Sequence, residues 1–316
     1  MLRYSENTMT IYFGNDYPSL NNPFLTVGVF DGVHLGHRAL LDKLVLKARR
    51  AGRESVVITF EPHPRLVLHG EKRNLSFLST PEEKMELLGM SGIDHLIIMP
   101  FTNELAGMDA GQFISEILIR KIGAGYLLVG YDNHFGKGRA ADFMSIRTHA
   151  LKHGLETEQV EGIKGPEGFI SSTTIRNALL SRRLDTANAC LGYSYSLSGE
   201  VVSGRNLGHL LGFPTANIMP PKNKLVPADG VYAVETVIGK DKYNGMLSIG
   251  VNPTVNKDPE SRSVEVNIFG FDGNLYGQKI KVVFRYWLRE ERNFASAGQL
   301  SDQMKLDRIE ALRLLT

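Results

Sequence analysis

Gly28-Val29-Phe30-Asp31-Gly32-Val33-His34-Leu35-Gly36-His37 joins an apolar strand to a long helix, and its reading decides how the rest of the chain is organised. Two glycines bracket an aspartate and two histidines follow. Arg38 to Arg50 then reads as one helix, with Leu40, Leu41, Leu44 and Val45 as its apolar stripe. The histidines therefore stand where a helix begins. At that position free backbone N–H groups and the positive end of the helix dipole favour an anion before any side chain contributes. The stretch predicts a phosphate site.

Working outward, Thr10 to Phe13 and Pro23 to Phe30 read as strands, and Ser55 to Phe60 as a buried-type strand stopped by Glu61-Pro62-His63-Pro64-Arg65. Thr80-Pro81-Glu82-Glu83 opens a helix with a capping hydroxyl, an early proline and acids near the dipole. His95 to Met99 is the next strand, Asp109 caps a helix carrying Phe113, Ile117 and Leu118, and Tyr126 to Val129 follows as a strand. Strands alternating with helices over short loops imply an α/β fold, a doubly wound parallel sheet that binds ligands outside the carboxyl ends of its strands. The opening stretch lies at one such end. So do Gly130 to Gly136 and, after a strand near Glu158 to Val160, the turn Ile170-Ser171-Ser172-Thr173-Thr174-Ile175-Arg176.

The pattern changes near Leu184 to Ser198. From Gly199 to Arg285 helical periodicity disappears and closely spaced strands remain: Gly230 to Ile238, Tyr243 to Ile249, Ser263 to Phe269 and Lys279 to Phe284. This predicts a small antiparallel barrel or sandwich, closed by a terminal helix from Ser296 to Leu315. The expected organisation is a first domain over 1–184, a linker over 185–198 and a second domain over 199–316. The full length of 316 residues fits two domains.

Composition narrows the class. An apolar fraction of 42% and a charged fraction of 22% argue against a disordered, coiled-coil or membrane protein. A net charge of +2 does not favour binding to nucleic acid, although a local basic cleft for a small phosphorylated ligand is compatible with it. Cys190 is the single cysteine, so an internal disulfide is excluded and a reducing compartment, the cytoplasm, is expected. No apolar run approaches the ~20 residues of a spanning helix, so no membrane partner is expected. The oligomeric state is open, a homo-oligomer included.

The histidine pair could in principle serve a metal, a nucleophilic reaction or phosphoryl chemistry. A zinc site wants three or four convergent ligands and a nucleophile wants an activated Ser or Cys beside its base. Two histidines at a helix start suit hydrogen bonds to phosphate oxygens as charge builds during attack on an α-phosphorus. Ser172 and Arg176 share one face at the start of another helix, a second anion site in which a guanidinium grips phosphate bidentately. In the second domain, Leu211-Gly212-Phe213-Pro214-Thr215-Ala216-Asn217 projects two oxygen donors of the kind Mg²⁺ prefers. Along Val264-Glu265-Val266-Asn267-Ile268, alternation sends the aliphatics to one face and Glu265 to the other, where a carboxylate can accept a proton from an attacking hydroxyl.

These residues carry a resemblance. Gly28 to His37 is similar to the G-x-F-D-G-x-H-x-G-H signature of adenylyltransferases and Ile170 to Arg176 to their I-S-S-T-x-I-R. With Phe60 to Pro64 and Gly130 to Arg139, the first domain resembles the FMN adenylyltransferase half of bacterial bifunctional riboflavin kinase/FAD synthetases. Gly212 to Asn217 resembles the riboflavin kinase G-x-P-T-A-N. Gly230 to Ala233, Ile249 to Thr254, Leu275 to Gly277 and the R-x-E-x-x-F-like Arg289 to Phe294 fall in the family's order. Asn267 stands where a histidine is frequent.

The resemblance implies a Rossmann-like nucleotidyltransferase domain, in which His34 and His37 contact the ATP phosphates and Ser172, Thr173 and Arg176 hold the triphosphate. Gly28, Phe30, Asp31 and Gly32 complete that ATP site, and Asp132 lies on the FMN side. In the kinase half, Gly212 and Pro214 belong to the ATP site, Thr215 and Asn217 bind Mg²⁺, Glu265 is the base for the ribityl 5′-hydroxyl, and Arg289 borders the flavin. The expected enzyme makes FMN from riboflavin and FAD from FMN, with ATP as co-substrate of both steps and pyrophosphate released in the second. Two alternatives stay open: one module without activity, or a flavin-binding carrier or regulatory protein without turnover.

Overall fold

The computed structural model describes residues 2–3, 9–69, 75–131, 142–204, 212–251 and 262–316. They fall into two units, Met1–Ser172 and Thr173–Thr316.

The first unit is built on a seven-stranded sheet of order β1-β2-β5-β4-β3-β6-β7. Its strands are β1 (Leu2–Arg3), β2 (Thr10–Phe13), β3 (Phe24–Val27), β4 (Ser55–Glu61), β5 (His95–Pro100), β6 (Tyr126–Gly130) and β7 (Glu156–Val160). All neighbours run parallel except the edge pair β1–β2. The order reverses at β3, which has β4 on one side and β6 on the other, so the switch point lies at the carboxyl ends of β3 and β6. A separate hairpin pairs β8 (Lys164–Gly165) with β9 (Gly168–Phe169).

Alternate residues of each strand feed opposite faces, as a period of two requires. Leu25, Val27, Val56, Ile58, Ile97, Leu127 and Val129 enter one core, while Val57, Leu96, Ile98 and Leu128 enter the other. The second core receives α1 (Leu35–Arg50) through Leu40, Leu41, Leu44 and Val45. Further helices are α2 (Pro64–His69), α3 (Pro81–Gly89), which carries the expected Thr80 capping box, and α4 (Asn103–Gly107). The Asp109 cap starts α5 (Ala110–Gln112), which continues as a π-helix over Phe113–Lys121. That turn and α6 (Phe143–Leu151), capped by Asp142, fill the first core with Phe113, Ile114, Ile117, Leu118, Ile146 and Ala150.

Helix α7 (Ser172–Leu180) passes into the second unit, followed by α8 (Leu184–Leu191). Both are tied to the strands beyond them. Ala228 N–H donates to the Leu179 carbonyl at 3.0 Å, and Asn188 donates to the Phe284 carbonyl at 3.2 Å while accepting from Tyr195 N–H at 2.7 Å.

The remaining strands are β10 (Ser196–Val202), β11 (Ala216–Met219), β12 (Gly230–Ile238), β13 (Asp241–Val251), β14 (Arg262–Ile268) and β15 (Lys279–Arg289). They close into an antiparallel barrel of order β10-β11-β14-β13-β12-β15, with β15 pairing back to β10. Of the barrel and sandwich left open by the sequence, the structure is the barrel. Closure leaves no sheet edge. Helix α9 (Ala297–Leu315), capped by Ser296, packs Met304, Ala311 and Leu315 against Ala233 and Met246. Among the described residues no helix is long and apolar enough to cross a membrane.

Candidate active sites

The opening stretch is a tight loop between β3 and α1. Phe30 and Val33 both take positive φ, 54° and 35°, and Gly32 takes 77°. Such a backbone costs on the order of 1–3 kcal/mol at each non-glycine position. Burial offsets it, since Phe30 and Val33 are 1% and 0% exposed in the α1-side core and a fully buried side chain of this kind contributes roughly 1.5–3 kcal/mol. The loop is also bolted to the 78–79 backbone. Asp31 Oδ1 accepts from Leu78 N–H at 2.8 Å and from Ser79 N–H at 3.1 Å, and Gly32 N–H donates to Ser79 Oγ at 3.0 Å. Asp31 is thus buried and turned into the fold.

His34 is the N-cap of α1, so the helix begins three residues before Arg38. Its Nδ1 accepts from His37 N–H at 3.3 Å, and the two imidazoles stack with centroids 3.7 Å apart. The Phe30 ring meets His37 edge-on at 5.1 Å. Gly36 leaves room for this stack, since a Cβ at that position would press on the His34 ring at 3.2 Å. Burial first, and then His34, hold the His37 imidazole well below its usual pKa, so the ring is neutral. Its buried Nδ1 has no hydrogen-bond partner among the described residues. The first turn of α1 carries no acid. The whole arrangement presents backbone donors and a stacked imidazole pair to an anion.

Ser172 joins this group, since its hydroxyl donates to the Asp31 carbonyl at 2.9 Å. Thr173 and Arg176 belong to the second unit, where Arg176 Nη2 donates to Thr173 Oγ1 at 3.1 Å. Gly28 ends β3's approach to the loop, its N–H donating to the Ile58 carbonyl at 3.0 Å. Asp132 lies outside the described residues.

Sequence reasoning passed over a charged cluster beneath the loop. Lys84 is 7% exposed and donates to the Phe60 carbonyl at 3.4 Å. Burial pushes its ammonium pKa down, against Glu61 and Asp31, while burial raises Glu61 against Lys84. A lysine inside the run Pro81 to Gly89 reads as a solvated helix face, and only the fold reveals that it is covered.

In the barrel, Gly212 takes a φ of 77° and leads through Pro214 into β11. Asn267 Nδ2 donates to the Pro214 carbonyl at 2.7 Å, so this asparagine fixes the turn. Thr215 Oγ1 lies 3.4 Å from Glu265 Oε2, and Asn217 stands directly opposite Glu265 in the β11–β14 register. Val264, Val266 and Ile268 are buried, as the alternation predicts, and Glu265 is half-buried on the other face. Thr215, Asn217 and Glu265 are therefore gathered at one place. The Arg289 guanidinium meets Asp307 of α9 through two hydrogen bonds at 2.9 and 2.7 Å.

Among the described residues no group of three or more His, Cys, Asp or Glu side chains is assembled to hold a metal by itself. The barrel donors are instead a neutral hydroxyl and a neutral amide beside one carboxylate. That set fits Mg²⁺, which takes few protein ligands and completes its shell with nucleotide phosphates and water.

Comparison with known proteins follows the same division. Residues 17–174 match the FAD synthetase family model and residues 191–315 the riboflavin kinase model. The chain is 36% identical over 288 residues to a bifunctional riboflavin kinase/FMN adenylyltransferase of Escherichia coli strain K12, covering 91% of each chain. It is 34% identical over 291 residues to the enzyme of that name from Bacillus subtilis strain 168, covering 92% of this chain and 91% of that one. A crystal structure of a Streptococcus pneumoniae protein described as a macrolide-efflux protein superposes with a TM-score of 0.83 at 31% identity, over 95% of this chain and 97% of that one.

Proposed function

The chain belongs to the bifunctional riboflavin kinase/FMN adenylyltransferase family, and from that premise we propose how its residues divide the work. It phosphorylates riboflavin to FMN and adenylylates FMN to FAD, with ATP as co-substrate of both steps. Adenylyl transfer belongs to the domain we assign to 1–184 and phosphorylation to the barrel over 199–316, joined by 185–198.

In the first site the FMN phosphate attacks the α-phosphorus of ATP and pyrophosphate leaves, so negative charge builds on phosphate oxygens. His34, His37 and the free N–H groups of α1 donate to those oxygens. A neutral His37 does this as a hydrogen-bond donor, without exchanging a proton with the substrate. Gly28, Phe30 and Gly32 shape the floor of the ATP site, and Asp31 holds that floor rigid through Leu78 and Ser79. Ser172, Thr173 and Arg176 bind the triphosphate, and Asp132 lies on the FMN side.

In the barrel, Glu265 takes the proton of the riboflavin 5′-hydroxyl, whose oxygen attacks the γ-phosphorus while ADP leaves. Thr215 and Asn217 would hold Mg²⁺, and Gly212 and Pro214 set the turn that leads to them. When bound, the ion would supply charge neutralisation to the transferring phosphoryl group. The observation that carries the reading is the gathering of Thr215, just before β11, with Asn217 of β11 and Glu265 of the adjacent β14. Drug efflux, which names the pneumococcal neighbour, forms no part of it, because these groups are suited to moving phosphorus. A single buried cysteine, Cys190, fits work in the cytoplasm.

The test is to incubate the purified protein with riboflavin, ATP and Mg²⁺ and to follow FMN, FAD, ADP and pyrophosphate. Both flavin products are expected, each with its own leaving group. Flavin binding with neither product would establish the carrier reading instead.

A further inference from the structure

The family resemblance implies that Arg289, at the head of the Arg289 to Phe294 segment, borders the flavin. In the structure its guanidinium is held within the chain. Nε and Nη2 donate to the two Asp307 oxygens, Nη1 donates to the Glu290 carbonyl at 2.8 Å, and the Phe294 ring centroid lies 5.8 Å from Cζ. Asp307 is 5% exposed and also receives Gln303 Nε2 at 2.9 Å, so a buried carboxylate and a half-buried guanidinium clamp β15 to α9.

Two residues beyond Arg289, the exposed Glu291 does something different. Its Oε1 accepts from the Ser248 hydroxyl at 2.9 Å, and its carboxylate lies so close over Gly250 that a Cβ there would sit 1.9 Å from Oε2. Ser248 stands opposite Glu265, and Glu265 opposite Asn217. Directly opposed residues share a face, so Asn217, Glu265 and Ser248 form one lateral row across three neighbouring strands, and Glu291 caps its end.

Among the described residues, the charged groups facing Glu291 are Asp229, Arg289 and Glu265. Asp229 is paired with Arg262 at 2.7 Å and Arg289 with Asp307. Surrounding protein raises the Glu291 carboxyl most, opposed by the Ser248 hydrogen bond, with Asp229 raising, Arg289 lowering and Glu265 raising it in turn. The net upward shift marks a carboxylate that gains from further donors.

Riboflavin brings such donors. Its side chain is a polyol, and with the terminal hydroxyl at Glu265 the secondary hydroxyls extend along the same row, where strands are ~4.8 Å apart. A carboxylate is acceptor-only, and among the described residues Glu291 accepts from Ser248 with capacity for further donors. We propose that Glu291 is the substrate-facing residue of this segment, accepting hydrogen bonds from the secondary hydroxyls of riboflavin, and that Arg289 and Asp307 are the positioning pair that anchors it. This rests on the kinase role of Glu265.

The test measures steady-state kinase kinetics and flavin-fluorescence binding for the intact protein and its E291A, E291Q and D307A variants. Two acceptors are compared: riboflavin and a 10-(5-hydroxypentyl) flavin, which keeps the terminal hydroxyl and lacks the secondary ones. E291A is expected to raise the riboflavin KM and binding constant roughly tenfold or more, with kcat little altered and the hydroxypentyl KM unchanged. E291Q should show a smaller rise, and D307A a rise in the same direction. An E291A variant with the parent riboflavin KM, or with both acceptors weakened equally, would overturn the role of Glu291. D307A with unaltered riboflavin binding would overturn the anchor. A parent protein that does not phosphorylate riboflavin at all would instead overturn the kinase reading.

Discussion

The two phosphate sites we propose are built from different materials. In the first unit the proposed donors are backbone N–H groups and stacked imidazoles at one helix start, set by a loop whose strain is offset by the burial of Phe30 and Val33. In the barrel the proposed working groups are side chains at the start of β11 and on β14, where register sets Asn217 opposite Glu265. Attack on an α-phosphorus by an already ionised phosphate needs charge dispersal and no base. Transfer of the γ-phosphoryl group to an alcohol needs a base and a counter-ion. Each fold supplies what its reaction lacks, and the contrast can be broken at either end.

The largest effect is expected from Glu265→Ala. Loss of a general base should lower FMN formation about 10²–10⁴-fold, with FMN-to-FAD conversion unchanged in the same preparation. Equal loss of both activities would mean that the sites are not independent. Next comes His37→Ala, for which loss of an oxyanion donor should lower FAD formation roughly 10²–10³-fold and leave riboflavin phosphorylation intact.

Asp31→Ala tests whether that carboxylate works on the loop or on the nucleotide. Orphaning Leu78 and Ser79 N–H should destabilise the first unit by roughly 1–3 kcal/mol per buried donor. The urea concentration that halves FAD synthesis should fall, while that for the kinase stays fixed. A lower rate at an unchanged midpoint would assign Asp31 to the nucleotide.

The smallest effect concerns Glu158, which receives Lys43 and Lys47 at 2.6 Å each and the Tyr126 hydroxyl. Desolvation alone would raise its carboxyl, yet these hydrogen bonds prevail and hold it at about 2, below the ordinary 4.5. A depressed carboxylate stabilises the fold above the unfolded value and loses that contribution as pH falls toward the folded one. Glu158→Gln should therefore lower the melting temperature slightly at neutral pH, by the equivalent of about 1 kcal/mol or less, with the deficit shrinking below pH 4.5. A deficit that grows on acidification would contradict this sign.

Much of this contrast is legible in the amino-acid order, because local chemistry carries it. Thr80 and Asp109 announce their helices through capping, and Glu265 announces its face through alternation. The remainder depends on partners distant in sequence. His34 as a helix cap escapes notice because Ser, Thr, Asp and Asn dominate that position, so the helix was expected at Arg38 and starts at Leu35. The π-helix over Phe113–Lys121 changes hydrogen bonding while leaving the apolar spacing of Phe113, Ile117 and Leu118 much as an α-helix would have it. Strand β10 begins at Ser196, ahead of the expected Gly199, because pairing with β15 outweighs its weak intrinsic preference. Helix α6 has only its Asp142 cap to advertise it. The Arg289–Asp307 clamp and the Glu291–Ser248 contact join residues that no local pattern connects.

The claim of two independent chemistries in one chain is tested most directly by mixing the E265A and H37A proteins with riboflavin, ATP and Mg²⁺ and measuring FAD. Each variant alone should make almost none from riboflavin, whereas the mixture should restore it, since H37A releases the FMN that E265A adenylylates. FAD from either variant alone, or none from the mixture, would contradict the account.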